Sequence, residues 1–169
     1  MKKLRKGFTL LELLVVIGVM GILSSTAMIA GQQTTNAARA TNIADNLEKI
    51  ASAMMMYYSD NADNIAINGI VDTATDGKIA KADLLAGTQA YLKTATDVIL
   101  DTATEGKYAI VVNGDAPNQT WWIVYKLPAN DVAGVGPILK NKANRMELKT
   151  DAGGTTAYDG GATLAMKVR

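Results

Sequence analysis

Glu12 is the first residue in this chain whose chemistry asks for an explanation. It is the only ionisable side chain in an apolar run from Phe8 to Gly31, and it follows a leader, Met1 to Gly7, that holds Lys2, Lys3, Arg5 and Lys6. A carboxylate in hydrocarbon costs about 2.5 kcal/mol or more at mid-depth, so an acid placed there usually has a partner or a task. The plainer alternative is an acid that snorkels to the interface, which its place near the start of the run makes cheap. No basic side chain follows until Arg39.

A second candidate is a short repeat. Asp72-Thr73-Ala74-Thr75-Asp76-Gly77-Lys78 returns as Asp101-Thr102-Ala103-Thr104-Glu105-Gly106-Lys107. The first copy partly matches an EF-hand-like calcium loop, with Asp72, Asp76, Gly77, Ile79 and Asp83 in register. Ala74 occupies a ligand position, and Asp83 replaces the bidentate glutamate. The second copy reaches Val112 where that ligand should stand, so the repeat argues for a glycine-containing turn before it argues for metal. Asp60, Asp63, Asp76 and Asp83 could pair as acid and base in principle, but solvated surface acids are the simpler reading.

Other chemistry is excluded by composition. The chain has no histidine and no cysteine, which removes the commonest general base, the commonest zinc ligand and any disulfide. No phosphate-cradling glycine loop is present. With 17 basic and 16 acidic residues the formal charge is +1, and loss of the four leader cations gives 13 − 16 = −3. A mildly acidic chain carries no general footprint for nucleic acid.

The element that positions Glu12 is long enough to cross a bilayer, which takes about 20 residues at ~1.5 Å rise each. Four leader cations keep the amino terminus cytoplasmic and send everything after Gly31 to the far side. A secretory signal fits less well, because the run exceeds the usual h-region of about 7 to 15 residues and lacks a clear small-x-small site before Ser24. Beyond it, 169 − 31 = 138 residues make one ordinary domain.

The spacing Lys6-Gly7-Phe8-Thr9-Leu10-Leu11-Glu12-Leu13, then Leu14-Val15-Val16-Ile17, resembles the class III signal of type IV pilins and of the pseudopilins of secretion and DNA-uptake machines. The match covers roughly Met1 to Ala30. The resemblance implies that a prepilin peptidase cuts between Gly7 and Phe8 and methylates the new amino terminus at Phe8. It implies that Glu12 is the family's glutamate, paired during assembly with the amino group of Phe8 of a neighbouring subunit. It also implies a single-pass inner-membrane precursor, an assembly platform, other pilins as partners, no cofactor and no enzyme activity. The function expected is a filament subunit for adhesion, motility or DNA uptake, with a pseudopilin of a type II secretion or competence pseudopilus as the alternative. A single-pass anchored enzyme or binding module is a third class, which the processing signal and the absent histidine disfavour. One departure stands out: many pilins carry a proline in the second half of the apolar helix, whereas the first proline here is Pro117.

The resulting plan is α+β. Residues 1–7 are a leader, 8–31 a transmembrane and filament-core helix, 32–60 its amphipathic continuation, 61–107 a variable connection, and 108–169 an antiparallel sheet with the C-terminal region. Ile43, Leu47, Ile50 and Met54 recur at helical spacing, continued by Tyr57 or Tyr58. The polar run Ser59 to Asn64 ends the helix. A short helix is expected from Lys81 to Leu92, with Leu84, Leu85, Ala90 and Tyr91 over the sheet. Tyr108 to Val112 and Thr120 to Leu127 read as strands. Trp121, Ile123, Tyr125 and Leu127 share the buried face, leaving Trp122 at an edge or exposed. Pro128 and Pro137 should bound an irregular segment. Met146 to Lys149 gives a third strand, Asp151 to Gly161 a flexible loop, and Leu164, Met166 and Val168 a closing strand.

Overall fold

A computed structural model describes residues 8–60, 81–92, 99, 102–114 and 120–169, with backbone alone at 81–83. The chain divides into two compact units, Met1–Thr35 and Asn36–Arg169. One helix, α1 (Leu10–Asp60), contributes to both. It has no proline, and its glycines Gly18, Gly21 and Gly31 meet no neighbouring atoms. In the first unit the hydroxyls of Ser25 and Thr26 donate to the carbonyls of Ile22 and Leu23, and those of Thr34 and Thr35 to Ala30 and Gly31. Polar groups on an apolar helix are thereby satisfied within the helix itself.

The second unit joins the rest of α1 to α2 (Lys81–Tyr91), β1 (Tyr108–Asn113), β2 (Thr120–Lys126), α3 (Ala129–Met146), β3 (Leu148–Lys149) and β4 (Thr163–Lys167). The strands form one antiparallel sheet in the order β1-β2-β4-β3. Register aligns the apolar positions: Ile110 lies opposite Ile123, which lies opposite Met166, itself opposite Leu148. This face forms one core with the α1 stripe Ile43, Leu47, Ile50 and Met54, as the two periodicities predict.

The other face of β2 is covered too, which the alternation argument did not anticipate. Trp122 is buried with Val124 and Ala165 beneath Ala103, Val111 and Ala152, and its indole donates to Thr120 Oγ1 at 3.1 Å. Two loops supply that cover, so Trp122 is neither an edge contact nor exposed.

The segment between the prolines is also a correction. It is helix α3, begun after Pro128 and continuing through Pro137. Proline before the first turn costs little because the N–H there has no helical partner, and Pro137 sits on the exposed side. What holds the helix is its buried stripe of Val135, Leu139, Ala143 and Met146, since packing outweighs propensity in most protein helices. Glu147 closes it at φ 53°, its N–H bonded to the Ala143 carbonyl. Gly136 is required here, because a Cβ would stand 2.2 Å from the Gly160 carbonyl oxygen. Arg39 pairs with Asp131, and Lys142 Nζ donates to Thr41 Oγ1, fastening α3 to α1 within this unit.

Of the residues expected to carry α2 over the sheet, Leu84 is fully buried and Leu85 half-buried, but Ala90 is exposed. Tyr91 turns instead to α1, stacking edge-on with Tyr57 and donating to Asp60 at 2.6 Å. Segment 151–161 is tied down. Tyr158 is buried, its N–H donates to the Leu148 carbonyl, and its hydroxyl donates to the Gly161 carbonyl at 2.6 Å.

Burial, followed by the charge of Asp159, pushes the Tyr158 hydroxyl up to about 12. An unfolded tyrosine ionises near pH 10, so the unfolded chain loses this proton first. The stability it contributes is fully present below about pH 10 and is lost as pH rises through about 12. Thermal unfolding followed against pH is expected to show that alkaline fall, flattened in Tyr158→Phe. An identical slope in the variant would remove Tyr158 as its source.

The core of the second unit uses nothing from before Asn36. A fragment starting at Gln32 is therefore expected to unfold cooperatively, with a midpoint unchanged by reductant. A broad, non-cooperative melt would count against an independent core.

Candidate functional site

The first unit offers a surface with no cover. All the large apolar side chains from Phe8 to Ile29 are exposed, from 45% at Val16 to 84% at Phe8. This part of α1 is long and apolar enough to cross a membrane. It cannot remain in water at such cost, at ~25 cal/mol per Å² of apolar surface, without lipid or another protein against it.

Glu12 lies in the first turn of α1 and is exposed. Its Oε2 accepts from the Thr9 N–H and the Thr9 hydroxyl, both at 2.9 Å, while its own N–H donates to Thr9 Oγ1 at 3.2 Å. This is a reciprocal capping box, Thr-x-x-Glu, satisfying donors that a helix start leaves open. The sequence carried the signal, a threonine three residues before a glutamate at the head of an apolar run. Reasoning from charge alone passed over it. Glu12 thus has hydrogen-bond partners in its own chain but no cation among the described residues.

Of the expected cleavage position, Phe8 is described and exposed, whereas Gly7 and residues 1–6 lie outside the described residues. Of the calcium candidates, Asp72 and Asp76 also lie outside them, and Asp83 contributes only backbone within α2. The second copy of the repeat does form the expected turn. Gly106 takes φ 72°, the Lys107 N–H donates to the Thr104 carbonyl, and the Gly106 N–H donates to the Lys126 carbonyl. Among the described residues no three acidic side chains gather as a metal site.

An N-terminal anchor with a capping glutamate is a general arrangement, and comparison with known proteins makes it specific. Residues 2–28 match the prokaryotic N-terminal methylation motif. A fimbrial protein of Dichelobacter nodosus is 35% identical over 99 residues, 56% of this chain and 61% of its own length. A type IV major pilin protein of Neisseria gonorrhoeae is 28% identical over 128 residues, 72% of this chain and 59% of its own. The chain resembles the type IV pilins.

The chain spans less than two thirds of the length of those relatives. No solved structure matches it. Its fold is the α+β arrangement anticipated from the sequence, a long N-terminal helix packed through its second half on a small antiparallel sheet. The motif match ends at residue 28, within the exposed apolar stretch that runs from Phe8 to Ile29.

Proposed function

We propose that this chain is a type IV pilin, a structural subunit and not an enzyme, that is anchored in the inner membrane as a precursor and polymerised through α1 into an extracellular filament. The supporting observation is the uncovered apolar face from Phe8 to Ile29, which lipid covers before assembly and neighbouring helices cover afterwards. A prepilin peptidase cuts between Gly7 and Phe8 and methylates Phe8. Other pilins and an inner-membrane assembly platform are its partners. Adhesion, motility or DNA uptake is the use of the fibre. The names of the relatives, fimbrial and major pilin proteins, favour a pilus over a secretion pseudopilus.

N-terminal mass spectrometry of sheared fibres tests this directly. Chains beginning at methylated Phe8 are expected, and Gly7→Val should accumulate as uncut precursor, because a side chain is introduced where the cut requires none. Fibres carrying an intact leader, or the absence of this chain from all sheared fibres, would overturn the reading.

A further inference from the structure

We propose that the second unit carries two unlike, complementary patches through which one copy of this chain grips the next. This contact rests on the filament reading above.

The first patch is a groove of about 700 Å³ between α1 and α2. One end is acidic, with Asp45 and Glu48 beside a single cation, Lys49; the other end is apolar, with Met56, Tyr91 and Leu92. Within the described part of this unit the exposed large apolar side chains are Met55, Met56 and Tyr91, so its apolar exposure is concentrated here. The second patch is the solvent side of α3. Ala133 and Pro137 are its apolar end, and Lys140 and Arg145 its basic end, with Asn141 and Asn144 between them and Glu147 just beyond the helix.

Charge and spacing agree. Among the described residues no ion pair reaches Asp45, Glu48, Lys140 or Arg145, so within that part of the chain these four charges are open to a partner. Glu48 and Met56 are eight residues apart on α1, as are Pro137 and Arg145 on α3, so both patches run from charge to apolar surface over ~12 Å at 1.5 Å per residue. Laid along the groove, α3 sets cations against carboxylates and Pro137 against the Met56 and Tyr91 side chains. Because the two patches differ, each copy uses one to hold the copy before it and the other to hold the copy after. Such a heterologous contact is not a two-fold dimer contact; repeated without closing into a ring, it propagates as an open helix, which is the form the filament reading requires.

A disulfide scan tests the contact cleanly because the chain has no cysteine of its own. Glu48→Cys combined with Arg145→Cys, expressed as the full chain in a strain without the wild-type copy, should give a ladder of oxidised multimers from sheared fibres. Neither single variant should pass dimer. Charge reversal supplies an independent reading. Asp45→Lys with Glu48→Lys, or Lys140→Glu with Arg145→Glu, should each lower fibre incorporation about tenfold, and joining both sets should restore it to within about twofold. Should a reversed chain be degraded before assembly, the ladder decides. Wild-type fibres with neither ladder nor charge-swap rescue would overturn the contact and leave the filament reading standing. A wild-type chain that never enters fibres would overturn both.

Discussion

Replacing Trp121 by alanine is expected to cost the second unit about 3 to 5 kcal/mol, the range for removing a large aromatic from a core. Domains are stable by only ~5 to 15 kcal/mol, so the variant should be largely unfolded at a temperature the parent survives. Trp121 is fully buried in the central strand and lies opposite Val112. Its ring meets Tyr58 of α1 edge-on at 5.1 Å, and the Arg169 guanidinium stands 4.6 Å from the Tyr58 ring and 5.3 Å from its own. The Trp121 N–H donates to the Arg169 carbonyl, and its carbonyl accepts from Val168. One side chain therefore joins the sheet, the end of the long helix and the last residues of the chain.

Trp121→Phe makes the sharper comparison. The indole Nε1–H is buried and has no acceptor among the described residues, and an unsatisfied buried donor costs about 1 to 3 kcal/mol. Phenylalanine removes that donor together with part of the ring, so the two losses partly cancel. Urea unfolding of the fragment from Gln32 should place Trp121→Phe much nearer the parent than Trp121→Ala. An alanine variant within about 1 kcal/mol of the parent would show that the site collapses around the loss and that Trp121 is not the anchor.

Trp121 was legible in the sequence and its neighbour was not, for a physical reason. Alternation along β2 tells which residues share a face, so Trp121, Ile123 and Tyr125 declare themselves together. It does not tell whether something distant covers the other face. Ala103 and Ala152, which close over Trp122, are small residues in loops with no periodicity. Helix α3 was hidden by its punctuation: Pro128, Gly134, Gly136 and Pro137 read as breakers, although Val135, Leu139, Ala143 and Met146 keep a helical interval through them. Local propensity argues against that helix, and a buried stripe that local reasoning cannot weigh decides for it. Tyr158 was lost in the same way, as one anchor in a glycine-rich run. The groove beside Met56 required the placement of α2, which no local pattern encodes. At the amino terminus, the apolar run, the leader charges and the motif singled out Phe8 and Glu12 as candidates, and both are exposed in the structure. The capping box was equally legible, and it changes what a substitution at Glu12 means.

Glu12→Ala removes two things at once, a charge and a cap, and Glu12→Gln separates them. A glutamine at the third helical position still closes the capping box, its amide oxygen accepting from Thr9. It cannot neutralise an ammonium group. In the assembly proposed here the carboxylate faces the amino terminus that cleavage creates on Phe8 of a neighbouring subunit, in a setting without water. Breaking such a pair leaves an uncompensated charge and costs about 3 to 5 kcal/mol, a loss of roughly two orders of magnitude or more in the equilibrium for adding a subunit. Losing a threonine cap costs only about 1 kcal/mol. The expected order follows: Glu12→Gln and Glu12→Ala both enter the membrane and are cut at Gly7, but neither enters fibres, whereas Thr9→Val is cut and assembles at a modestly reduced level. Immunoblots of membrane and sheared-fibre fractions, in a strain without the wild-type chain, read all three. If Glu12→Gln assembles normally while Glu12→Ala does not, the carboxylate is a helix cap and the interchain charge pair is wrong for this chain. If both assemble, the bonds to Thr9 are the whole of its role and the filament is registered by something else. Thr9 hydrogen-bonds the carboxylate in the separate chain, so the proposed assembly exchanges these intrachain bonds for an interchain one, and its barrier includes the release of Glu12 from its own helix end.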